Sequence, residues 1–100
     1  MSQTILHTLN QSPFASQIWQ DCLEHIEPDD CLVLLNDGVY GALNHHPYRN
    51  ALHSKTCYAI KEDVETRGLN QLNLNPDIIL ISYEQWVELA VKHPLSQSWF

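Results

Sequence analysis

Two spacings of apolar residues alternate along this chain, and they separate candidate strands from candidate helices. Thr4–Leu9, Cys31–Leu35, Thr56–Ile60 and Asp77–Ile81 are short, largely apolar runs bounded by turn-forming residues. Apolar side chains at both parities suit strands covered on both faces, as in a parallel sheet. Between the runs, apolar positions recur at helical spacing. Phe14, Ile18, Cys22 and Ile26 stand four apart, with Trp19 and Leu23 alongside, and predict an amphipathic helix from about Pro13 to Glu27. Ser12 suits its N-cap and Pro13 its first position, where a missing N–H costs nothing.

After the second run, Asp37 is placed to cap a short helix from Val39 to Asn44, which His45-His46-Pro47 breaks before a further helical turn ahead of Ser54. A brief helix from Lys61 to Arg67 is closed by Gly68 at the C′ position. Ser82 caps a last helix, Tyr83 to about His93, with Trp86, Val87, Leu89, Ala90 and Val91 as its inner face. No regular element is assigned to Leu69–Asn75 or to Leu95–Phe100. Strands alternating with helices predict a single three-layer α/β domain over residues 1–100, its mainly parallel sheet flanked by helices on both faces.

Charge narrows the function classes. Twelve Asp and Glu against five Lys and Arg give a formal charge of −7. The five cations, Arg49, Lys55, Lys61, Arg67 and Lys92, are scattered singly, so no basic patch offers itself to a phosphate backbone and no direct nucleic-acid binding is expected. The N-terminus lacks the pattern of a signal peptide, and no run reaches the ~20 apolar residues that span a membrane. With three cysteines, an odd number, reduced thiols and a cytoplasmic location are expected.

Candidate chemistry is sparse. No glycine-rich phosphate loop and no Gly-x-Ser-x-Gly elbow occurs, and no cofactor is expected. Asp37-Gly38 follows a strand where α/β folds place ligands, and a plain strand-to-helix turn explains it as well. His45, His46 and His53 suggest a metal site, but adjacent histidines diverge by roughly 100° on a helix, and no metal is expected. His7 and His93 read as structural. Among the thiols, Cys31 and Cys57 lie in apolar strands and read as inert. Cys22 is the one candidate nucleophile. It lies three residues from His25, on a shared helix face, yet it also continues the Phe14–Ile18–Ile26 stripe, and Asp21 and Glu24 disfavour its thiolate. From these residues alone, Cys22 is either a core or partner-facing residue or a catalytic persulfide carrier.

The chain resembles the TusB/DsrH family of sulfur-relay subunits. The matching pieces run in order along it: Leu6-His7-Thr8 with Ser12-Pro13, Asp37-Gly38-Val39 with Ala42-Leu43, Glu62-Asp63 with Arg67-Gly68-Leu69, Asp77–Ile81 with Tyr83, Val91-Lys92-His93-Pro94, and Gln97-Ser98-Trp99. The resemblance implies a DsrE-like fold and a subunit that is not itself an enzyme. It implies a heterohexamer with TusC/DsrF-like and TusD/DsrE-like subunits, which passes persulfide sulfur from a TusA-like to a TusE-like carrier. That relay serves 2-thiolation of the tRNA wobble uridine in the Tus system and intracellular sulfur oxidation in the Dsr system. Some DsrH-type members carry a cysteine matching Cys22. The rival reading is an independent thiol enzyme with Cys22 activated by His25.

Overall fold

The computed structural model describes residues 4–15, 17–69 and 71–100. Five strands, β1 (Ile5–Leu9), β2 (Cys31–Leu34), β3 (Thr56–Ile60), β4 (Ile79–Ile81) and β5 (Leu95–Trp99), form one sheet in the order β4-β3-β2-β1-β5. Every neighbouring pair is parallel. Three α-helices connect them, α1 (Ile18–His25), α2 (Lys61–Thr66) and α3 (Tyr83–Lys92), with 3-10 turns at Asn36–Ala42, Arg49–Leu52 and Gln71–Asn73. The expected three-layer α/β arrangement, a parallel sheet flanked by helices on both faces, is the one found.

Alternation along the strands divides the core. Leu9, Leu32, Leu34, Cys57, Ala59 and Ile78 face one side, where they pack on Trp19 and Cys22 of α1, Val39 and Ala42, Leu52, and Val64 of α2. Leu6, Val33, Ile60 and Ile81 face the other, against Trp86 and Leu89 of α3. The chain steps from β1 to β4 with its crossovers on the first face. It then returns across the sheet to β5 with α3 on the second, as crossovers of constant hand require when the direction reverses.

Local chemistry explains most boundaries. Ser82 accepts from the Gln85 N–H, and the Gln85 side chain accepts from the Ser82 N–H, a complete capping box at the start of α3. Gly68 takes φ 64° just past α2, where a side chain would be strained. Gly38 packs so tightly that an added Cβ would lie 2.1 Å from the Leu9 carbonyl oxygen. Its place after a strand is thus a demand of backbone packing.

Four expectations are corrected. The helix over 13–27 is only α1, because Ser12 turns the chain early, accepting from the Phe14 N–H at 3.1 Å and leaving Phe14 57% exposed. Asp37 caps nothing: the turn begins at Asn36 after an extended Leu35, and the Asp37 carboxyl pairs with Arg67 instead. The inner face of α3 is Trp86 and Leu89 alone. Val87 and Val91, at 59% and 80% exposure, point outward, because a sheet covers only one strip of a helix packed on it. Leu95–Trp99 is a strand, paired with β1 from Ile5↔Leu95 to Leu9↔Trp99.

Candidate functional site

In a parallel sheet all strand ends of one kind lie on one edge, and ligand crevices open where adjacent strands send their connections to opposite faces. Here that point lies between β3, which leads into α2, and β4, which leads into α3. A polar cluster occupies it. Asn36, just beyond β2, has φ 50°, a left-handed conformation that asparagine tolerates. Its N–H donates to Asp63 Oδ2 at 2.7 Å, and the hydroxyl of Tyr83, first residue of α3, donates to Asp63 Oδ1. Asp63 itself is buried in α2. Arg67 donates from Nε and Nη2 to Asp37 Oδ1, both at 3.0 Å, and from Nη1 to the Asp63 carbonyl at 3.4 Å. The bond to Asp63 pushes the Tyr83 hydroxyl up to about 12, helped by burial and the neighbouring carboxylates. The cluster ties the loops after three strands together around the buried Asp63 carboxyl, with the Arg67–Asp37 pair at its surface. It is built as a clasp.

A second polar group sits beneath α1. His7, buried on β1, approaches Asp30 Oδ2 through Nε2 at 2.9 Å and accepts from the Trp99 indole N–H through Nδ1 at 3.0 Å. The indole bond leaves Nε2 as the protonated nitrogen of the neutral ring. Asp30 also accepts from the N–H groups of Ile5 and Glu27. Burial raises the Asp30 carboxyl, but these donors and the His7 ring outweigh it and hold the group below the ordinary carboxylate range. His25 packs its ring on Trp99, 5.4 Å between centroids. This group therefore fastens β5 to β1 and α1, the structural role expected of His7.

The thiols are placed less favourably for chemistry. Cys22 lies on the inner face of α1 at 0% exposure, and burial pushes its thiol up to about 12. His25 does not reach it: the His25 Nδ1–H donates to the Asp21 carbonyl at 2.7 Å. Cys57, beneath it on β3, is also raised by burial and by the nearby Cys22. Cys31 is half-buried on the α3 face and is raised by burial, then by the Asp30 charge. Among the described residues, the structure thus brings no base to Cys22.

The remaining histidines go separate ways. His46 meets the ring of Trp19 edge-on at 5.6 Å, and its Nδ1 accepts from the Tyr48 N–H. Burial lowers its basicity, an effect the Arg49 charge reinforces and a Gly41 backbone bond opposes. His53 pairs with Asp77 at 3.4 Å on the surface, and His93 bonds the Leu89 carbonyl at 2.8 Å in the last turn of α3. Among the described residues no three His, Cys, Asp or Glu side chains come together to hold a metal ion, and no helix is long and apolar enough to cross a membrane.

The Asp63–Tyr83–Asn36 clasp was not legible as a site, though its signal was present. Each member lies within three residues of the end of an apolar run.

Comparison with known proteins agrees with this geometry. The fold is shared with the YchN protein of Escherichia coli, at a TM-score of 0.82 and 15% identity over 98% of this chain and 100% of that one. It is also shared with MTH1491 of Methanobacterium thermoautotrophicum, at a TM-score of 0.71 and 9% identity over 97% and 99%. In sequence, the chain is 38% identical to protein TusB of Escherichia coli K12 over 97 residues, covering 95% of this chain and 100% of the relative. It is 35% identical to protein TusB of Pectobacterium atrosepticum over the same share of each. The model of the family described as DsrH like protein matches residues 11–96. The chain belongs to the TusB/DsrH family.

Proposed function

We propose that residues 1–100 act as one unit, an interaction subunit of a cytoplasmic sulfur-relay complex. Its partners are TusC/DsrF-like and TusD/DsrE-like subunits, and it meets TusA-like and TusE-like carriers only through the complex. The observation that carries this role is the state of the three thiols. Two are fully buried, burial raises all three, and His25, three residues from Cys22, is turned to the Asp21 carbonyl instead. A persulfide relay needs an accessible thiolate, so sulfur is carried by another subunit and this chain supplies surface. Membership of the TusB/DsrH family supports the relay itself. The 35–38% identity to TusB proteins across the whole relative favours the tRNA wobble-uridine branch over sulfur oxidation.

The alternative, Cys22 as a carrier in its own right, requires α1 to lift from the sheet and expose Trp19 with it. Co-expression with sister subunits, followed by trapping of persulfides and mass measurement of each chain, separates the two. The proposal expects a stable complex with sulfur on a sister subunit. A one-sulfur adduct that disappears from this chain in Cys22→Ser establishes the alternative.

A further inference from the structure

The sheet has two edges, and they are finished in different ways. β4, at one edge, is three residues long, and short edge strands are a common protection against unwanted pairing. β5, at the other, is five residues long and exposed except at Trp99, and among the described residues no strand pairs with its outer side. Exposed edges are usually guarded by a charge, a bulge or a proline within the strand. Between Leu95 and Trp99 there is none, and Pro94 stands outside the strand.

The sequence across this edge is self-complementary. Pro94-Leu95-Ser96-Gln97-Ser98-Trp99-Phe100 reads apolar, apolar, polar, polar, polar, apolar, apolar in both directions about Gln97. Two copies of β5 laid antiparallel about that centre set Leu95 opposite the second copy's Trp99 and Pro94 opposite its Phe100. Ser96 then meets Ser98, and the two Gln97 amides meet on the axis, where each carries both a donor and an acceptor. Leu95 against Trp99 and serine against serine are pairs of the kind that hold neighbouring strands together, and Pro94 and Phe100 meet just outside the strand. A shift of one residue sets serines against apolar residues, so the register is specified. Leu95 and Phe100, 44% and 76% exposed in the single chain, are covered by the same contact.

We infer that the β5 edge is an isologous interface, at which a second copy of this chain pairs antiparallel with its two-fold axis at Gln97 and joins two five-stranded sheets into one of ten strands. The inference goes beyond the sulfur-relay reading and does not depend on it.

The experiment is a charge swap at the axis, read by sedimentation of the 100-residue chain at tens of micromolar. The wild-type chain, 11.5 kDa, is expected to sediment as a dimer. Gln97→Lys and Gln97→Glu each place like charges opposite one another and sediment as monomers, whereas an equimolar mixture of the two recovers the dimer. Recovery on mixing also shows that both variants fold. A monomeric wild type, single variants that remain dimeric, or a mixture that stays monomeric would each overturn the inference. None of these readings involves sulfur, so failure here leaves the relay role untouched.

Discussion

On one face of the sheet, α1, α2 and the 3-10 turns bury Trp19, Cys22, Val39, Ala42, Leu52 and Val64 against the strands. On the other, the ten residues of α3 offer Trp86 and Leu89, bury neither fully, and leave Ile79, Val87 and Val91 in solvent. Tyr83, Val87 and Val91 stand four apart, so they form a second apolar strip on α3 that its own sheet does not use. The first face is a finished core. The second resembles a core with one layer missing, and exposed apolar strips of this kind mark surfaces that meet other proteins. The contrast explains how one short chain both folds and serves as a subunit.

The largest effect expected of this difference is on stability. Trp19→Ala empties the centre of the finished face and should cost about 3–5 kcal/mol by urea unfolding. Val87→Ser together with Val91→Ser should change stability by no more than about 0.5 kcal/mol each, yet weaken assembly with sister subunits. Equal costs on the two faces would break the comparison.

The thiols give the next test. Burial holds the Cys22 thiol well above its ordinary value, so its thiolate is scarce at pH 8. Folded protein should therefore leave Cys22 and Cys57 unmodified by a thiol reagent while Cys31 reacts slowly, and urea should release all three. Rapid labelling of Cys22 in native buffer would show that α1 opens readily.

The two polar groups respond to pH in opposite directions. Asp30 is held below its unfolded value of about 3.9, so its contribution is complete above that pH and fades as pH falls through the folded value. Asp30→Asn should destabilise the protein at neutral pH and flatten the acid limb of its stability curve. Tyr83 is raised, so its contribution is complete below about pH 10 and is lost as pH climbs toward 12. Tyr83→Phe should cost about 1 kcal/mol at neutral pH, discounted for partial exposure, and should remove that alkaline loss.

β2 and β3 were legible because a strand covered on both faces is apolar at both parities, and β1 and β4 because each lies in a short, largely apolar run bounded by turn-forming residues. β5 was not, because Ser96-Gln97-Ser98 carries no such pattern. That strand is held by its ladder to β1 and by the Trp99 bond to His7, a partner 92 residues away that no local window contains. Likewise, α3 shows apolar residues on more than one side, and periodicity alone does not say which side meets the sheet. Of the chemistry, the inert reading of Cys57 followed from its run. The clasp of Asn36, Asp63 and Tyr83 depends on which strand ends become neighbours, and only the topology supplies that.

The most direct test of the account is native mass spectrometry of this chain co-expressed with the TusC/DsrF-like and TusD/DsrE-like subunits proposed as its partners, under sulfur donation. The account predicts one complex with two copies of each chain, a sulfur adduct on a sister subunit, and an unmodified mass for this chain. A free monomer that ignores both sisters, or a persulfide resident on Cys22, would contradict it.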